Sequence, residues 1–210
     1  MSKVRGGVIG RTLYRPVGIV GDVVNPSKRH ALIRAAGALV LERSPEALTL
    51  DVVAQRAGVS KGGLLYHFPS KAELKAGLVD EYLEEFEAAV DADAAGSPAE
   101  TGRWLRAYVR VGLNDADPRP SLDAAFLVAA GHPTLLDRVR ACSARWFERA
   151  TEDGVDATTA AVVMHATDGF WFADALGLHG VDGGMRLRVQ ERLMALIDAE
   201  DPGAAPVRGV

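Results

Sequence analysis

The stretch AGVSKGGLLYHFPSK, residues 57–71, decides the fold. Gly58 can end one helix, Ser60 can start another, and Gly62 and Gly63 then fall in the first turn of the new helix. Each of those two glycines costs a helix about 1 kcal/mol relative to alanine, so their presence needs a compensating reason. Upstream, Thr49 can cap a short helix carrying Leu50, Val53 and Ala54, which Gly58 ends by adopting a left-handed conformation at low cost. Ser60 caps the next, very short helix, and Ser70-Lys71-Ala72-Glu73 is a capping box that opens a long one running to about residue 93. A first helix, capped by Ser27, runs to about residue 43, where Ser44-Pro45 breaks it. Three short helices, the last two joined by Ala57-Gly58-Val59, make a helix-turn-helix. Such a module places the N-terminal part of its last helix in the DNA major groove. Glycines at that tip let the backbone and its amides approach a duplex without a side chain in the way, which offsets their propensity cost.

Charge supports this reading. Residues 1–71 hold 11 Lys and Arg against 4 Asp and Glu, a net of +7, while the remainder holds 13 against 24, a net of −11. A basic end on an acidic body is the distribution expected when one end meets a polyanion. No apolar run approaches the ~20 residues of a membrane helix, and the N-terminal segment lacks the features of an export signal. A single cysteine, Cys142, leaves no internal disulfide framework and suits a reducing compartment, so a cytoplasmic location with no membrane partner is expected. Residues 1–25 read as a flexible basic extension, 26–71 as the helix-turn-helix DNA-binding domain, 72–200 as a helical ligand-binding and dimerisation domain, and 201–210 as a disordered tail. The glycines of RGGVIG and VGIVGD lack the strand-loop-helix setting of a phosphate loop.

Within TLDVVAQRAGVSKGGLLYHFPSKAEL, Ala-Gly-Val-Ser, Leu-x-x-His-Phe and Ser-Lys-x-x-Leu occur at intervals that resemble the DNA-binding segment of the TetR (tetracycline-repressor-like) transcriptional regulators. The resemblance implies an all-α, homodimeric regulator of about nine helices, in which a long helix joins the DNA-binding head to a variable ligand-binding body. By position it implies that Thr49, Tyr66, His67 and Lys71 hold phosphates and that Ser60, Lys61, Gly62 and Gly63 face the bases; Lys28 and Leu64 complete the expected DNA-contacting set. Two departures stand out: Leu64-Leu65 replaces the frequent Leu-Tyr, and Gly63 stands where threonine or serine is common. Base reading then rests foremost on Lys61, which can donate to guanine O6 and N7. Phe68 reads as core, while His67 stays open between phosphate contact and packing.

In the body, helices are expected at 157–178 and 184–199 and around Trp104/Leu105/Tyr108/Val109, Leu122/Ala125/Phe126/Ala129 and Leu135/Val139/Cys142/Trp146. Ser97-Pro98-Ala99-Glu100 reads as a second capping box. The first of the two closing helices is apolar nearly all round and, with Met185, Val189, Leu193 and Leu196 of the second, is expected to form a four-helix interface with a second copy. Two reading heads about 34–36 Å apart then demand a near-palindromic double-stranded operator. Trp104, Tyr108, Phe126, Trp146, Met164, His165, Asp168 and Trp171 are candidates to line a small-molecule inducer site, against the plainer reading that such aromatics are core. His165 and Asp168 lie three apart, yet two ligands without a third do not make a metal site, and they read more simply as a hydrogen-bonded pair. Cys142 reads as a buried small side chain rather than a nucleophile. No catalytic set, metal or cofactor is expected. Two functions remain: a repressor released from DNA by a small molecule, or an all-helical small-molecule-binding protein or enzyme whose helix-turn-helix is non-functional.

Overall fold

A computed structural model describes residues 28–99, 101–114, 120–175, 178 and 183–200. The expected basic extension, the Ser27 cap, Glu100, the Leu122 side chain and the tail lie outside the described residues. Among those residues the regular structure is nine α-helices and one 3-10 turn, Pro45–Ala47. The helices are α1 (Lys28–Glu42), α2 (Leu50–Ala57), α3 (Lys61–His67), α4 (Lys71–Ala95), α5 (Arg103–Gly112), α6 (Pro120–Ala130), α7 (Pro133–Glu152), α8 (Ala157–Ala175) and α9 (Gly183–Asp198).

The head forms where the local signals placed it. Thr49 Oγ1 accepts from the Val52 amide at 3.3 Å, Ser60 Oγ from Gly63 at 3.1 Å and Ser70 Oγ from Glu73 at 3.1 Å, so three helices start on their expected caps. Gly58 takes φ 68° and sends its amide to Gln55 O, while the Val59 amide reaches back to Ala54 O. This pair of bonds closes α2 and is cheap only for a residue tolerating positive φ. Leu32, Ile33, Leu39, Leu48, Val53, Leu64 and Phe68 fill the space between α1, α2 and α3, each at most 3% exposed. A fully buried leucine contributes about 1.5–3 kcal/mol, so these few residues dominate the stability of the head. At Gly37, α1 crosses α4 so closely that a Cβ would stand 2.2 Å from Tyr82 Oη, and that hydroxyl donates to Ile33 O at 3.3 Å.

Head and body share one continuous apolar core running from Leu32 to Ile197. Helix α4 passes unbroken from the head into the body and packs against α1, α5, α6 and α7. One start differs from expectation: α5 begins at Arg103, with Gly102 as its N-terminal flanking residue, and not at the Ser97 box. The reason is a cap from a distant residue. Asp153, just past α7, accepts the Gly102 amide on its carbonyl at 2.9 Å and the Trp104 amide on Oδ2 at 2.9 Å. Among the described residues, Ser97 Oγ meets the Ala99 amide, at 3.4 Å. No helix among the described residues is long and apolar enough to cross a membrane.

Candidate nucleic-acid interface

The outer edge of the head is built by the caps that start α2 and α3. Ser60, Lys61 and Gly62 are exposed, and Tyr66 is 83% exposed, the most open large aromatic or aliphatic side chain among the described residues. Among the described residues, a Cβ built on Gly62 meets nothing within 4 Å, and neither Gly62 nor Gly63 has a positive φ. No packing among the described residues therefore requires glycine at position 62; what it leaves is an open approach to the backbone from outside. The Gly63 amide, by contrast, is already held by Ser60 Oγ and is not free to meet a phosphate. Thr49 and Ser60 spend a hydroxyl oxygen on their helix caps and keep the hydroxyl hydrogen to donate outward.

Basic side chains frame this edge. Lys28 is exposed at the start of α1, and Lys71 Nζ reaches the Glu46 carbonyl at 3.3 Å. Lys61 Nζ lies 2.9 Å from Asp51 Oδ1, with both side chains mostly exposed. An exposed pair of this kind is worth about 0–1 kcal/mol, so Asp51 preorders Lys61 without preventing its transfer to a stronger partner. Arg56 grips Glu42 through both terminal nitrogens, which holds that carboxyl below its ordinary range and joins α2 to the end of α1. His67 is half-buried, its ring edge-on to Tyr66 at 5.1 Å. Leu64 departs from its expected role: at 0% exposed it belongs to the core of the head and cannot touch a duplex. The reason is geometric, because a seven-residue helix lying on α1 and α2 must point one face inward, and Leu64 is on that face.

The candidate ligand residues of the body fall into two groups. Tyr108 and Trp104 of α5, Trp146 of α7 and Phe86 of α4 form one nest, with Phe86 5.2 Å from Tyr108 and 5.1 Å from Trp146 between ring centres. Tyr108 donates to Asp168 Oδ1 at 2.6 Å, and burial pushes the Asp168 carboxyl above its ordinary range. Trp146 Nε1 is buried and has no hydrogen-bond partner among the described residues. Phe126 and Trp171 lie apart from it, ring against ring at 4.8 Å beside Phe172. Met164 is buried. His165 is exposed, its Nδ1 2.7 Å from Ala161 O, so the expected His165–Asp168 pair gives way to Tyr108–Asp168. Asp168 turns toward Tyr108 of α5, whereas His165 turns back along its own helix to Ala161. Cys142 is buried, its thiol pushed up to about 11, as suits a packing side chain.

Phe86 and Asp91 of α4 were not among the sequence candidates. Phe86 carried a signal in the four-residue stepping of Leu74, Leu78, Tyr82, Phe86 and Val90, whereas Asp91 carried none. Asp91 accepts from Trp104 Nε1 at 3.0 Å and pairs with Arg149 at 2.7 Å, while Arg149 covers the Trp104 ring at 5.0 Å. These contacts tie the last turns of α4 to α5 and α7.

Comparison with known proteins falls on both halves of the chain. Residues 32–77 match the family described as bacterial regulatory proteins, tetR family, and residues 102–198 match the tetracyclin repressor-like C-terminal domain. The HTH-type transcriptional regulator EthR of Mycolicibacterium smegmatis is 24% identical over 203 residues, covering 96% of this chain and 86% of that protein. A solved TetR-family member from Streptomyces coelicolor A3 superposes with TM-score 0.63 at 26% identity, over 82% of this chain and 99% of its own. The multidrug binding protein EbrR in complex with ethidium superposes with TM-score 0.59 at 25% identity, over 82% of this chain and 99% of its own.

Proposed function

Because the chain belongs to the TetR family of DNA-binding transcriptional regulators, we propose that it is a homodimeric repressor released from a near-palindromic operator by a small molecule. The observation that carries this reading is the exposed edge from Ser60 to Tyr66, open at Gly62 and joined to the body by one unbroken helix. In it, Ser60, Lys61 and Gly62 approach the bases while Thr49, Tyr66, His67, Lys71 and Lys28 hold phosphates. A second copy packs on the outer face of α8 and α9, where Val162, Phe172, Met185 and Leu187 are each at least 41% exposed. Of the four-residue stripe expected on α9, Leu193 is buried inside its own protomer and is not available to a partner.

The inducer is a small, largely apolar molecule that enters beside Phe86, Tyr108 and Trp146. EbrR, a relative of similar fold, is a precedent in that it holds ethidium. Displacing Phe86 shifts α4, whose first turns carry Lys71 beside the head, so ligand and operator select different states of the dimer. The rival reading, a carrier or enzyme with an idle head, gives no reason for an exposed Tyr66 beside an open Gly62. Gel shift with DNA from upstream of the protein's own gene separates the two. Retention that is sequence-selective and falls steeply with salt is expected; no retention at low salt overturns the proposal.

A further inference from the structure

Away from the DNA-facing edge, we infer that His30, Glu81 and Glu85 form a site for one divalent first-row transition-metal ion between α1 and α4. His30 sits in the first turn of α1, while Glu81 and Glu85, four residues apart on α4, lie on one face of that helix. His30 Nδ1 is 2.5 Å from Glu81 Oε1 and 3.7 Å from Glu85 Oε1, and all three donor atoms lie within 4.8 Å of one another. Ligands bound at about 2.0–2.2 Å around one ion stand on the order of 3–3.5 Å apart, so the donors need shifts of no more than about 1 Å. The side chains are 31%, 13% and 36% exposed, partly shielded yet reachable from solvent.

The donor set selects the class of ion. One imidazole nitrogen with two carboxylate oxygens suits zinc, cobalt or manganese better than calcium, which takes oxygen ligands alone, or copper(I), which favours sulfur. Arg29 pairs with Oε2 of Glu81, leaving Oε1 turned toward His30, and its guanidinium stacks over Phe68 at 5.3 Å. That arrangement orients a ligating carboxylate in the way outer partners do around bound metals, and it offsets part of the charge of the two glutamates. The ion clasps the first helix of the head to the helix that leads into the body.

The test uses the full chain stripped with chelator, titrated with cobalt(II) and followed by visible absorption, then challenged with zinc chloride. One equivalent of cobalt is expected to bind saturably, zinc to displace it, and zinc to raise the melting temperature. Glu85→Gln and His30→Asn each weaken binding at least about tenfold, with helical circular dichroism confirming that the variants are folded. His165→Asn, which alters an exposed histidine on α8, leaves binding unchanged. Absence of saturable binding up to millimolar metal overturns the inference, as does undiminished binding by both folded variants. None of these readouts involves DNA, so the outcome is independent of the operator proposal.

Discussion

At Gly37 a Cβ would meet Tyr82 Oη at 2.2 Å and its ring carbon Cζ at 3.1 Å, on a tyrosine that is 2% exposed and has no open side to retreat into. Gly37→Ala is therefore expected to cost about 1–3 kcal/mol, the usual range for overpacking. Tyr82→Phe in the same chain restores part of that loss by removing the nearest atom, and chemical denaturation of the single and double variants measures it. Asp168 allows a second prediction. Burial raises its carboxyl pKa, and the Tyr108 hydrogen bond only partly opposes the shift. The folded state thus binds this proton more tightly than the unfolded chain, so stability falls as pH rises from the ordinary carboxylate range through the raised value. Asp168→Asn keeps an oxygen to accept from Tyr108 and removes that loss. The variant should show a flatter dependence of stability on pH in this window; an unchanged slope in denaturation across the same pH series contradicts the assignment.

Elements whose ends are set by neighbours in sequence were legible; those set from afar were not. Thr49, Ser60 and Ser70 each cap a helix through an amide three residues on, so the starts of α2, α3 and α4 could be read from local spacing. The start of α5 could not, because Asp153 caps it from 49 residues away. The two caps predict different costs. Asp153→Ala should lose about 1 kcal/mol of stability, while Ser97→Ala should stay within about 0.5 kcal/mol, since its hydroxyl holds no helix start. Equal losses on thermal unfolding would return the cap to Ser97. The same limit hid the packing of the body. Aromatic spacing marked Trp104, Tyr108 and Trp146, but only the fold shows that Phe86 joins them, that Phe126 and Trp171 lie elsewhere, and that Asp168 meets Tyr108 and not His165. Leu64 turns inward, which sequence spacing leaves open because it does not say which face of a seven-residue helix packs against its neighbours.

In the whole molecule, a basic head and an acidic body share one core and one long helix, which is the physical link through which the proposed ligand and operator would bias each other. The proposed reading of DNA by paired heads requires a second copy. Val162→Glu, placing charge on the outer face of α8, is expected to yield a folded monomer by sedimentation and to weaken operator binding by the loss of the paired contact. A dimer of unchanged strength would move the interface elsewhere. The most direct measurement concerns the tip of α3. Gly62→Leu adds a side chain whose Cβ has no described residue within 4 Å, on an exposed position of α3, so the head is expected to fold as before. Operator affinity of this variant, measured by fluorescence anisotropy at fixed salt against the unaltered chain, should fall at least about tenfold while the melting temperature does not fall. Unaltered affinity in a folded Gly62→Leu dimer would mean that the edge from Ser60 to Tyr66 is not the surface that reads DNA.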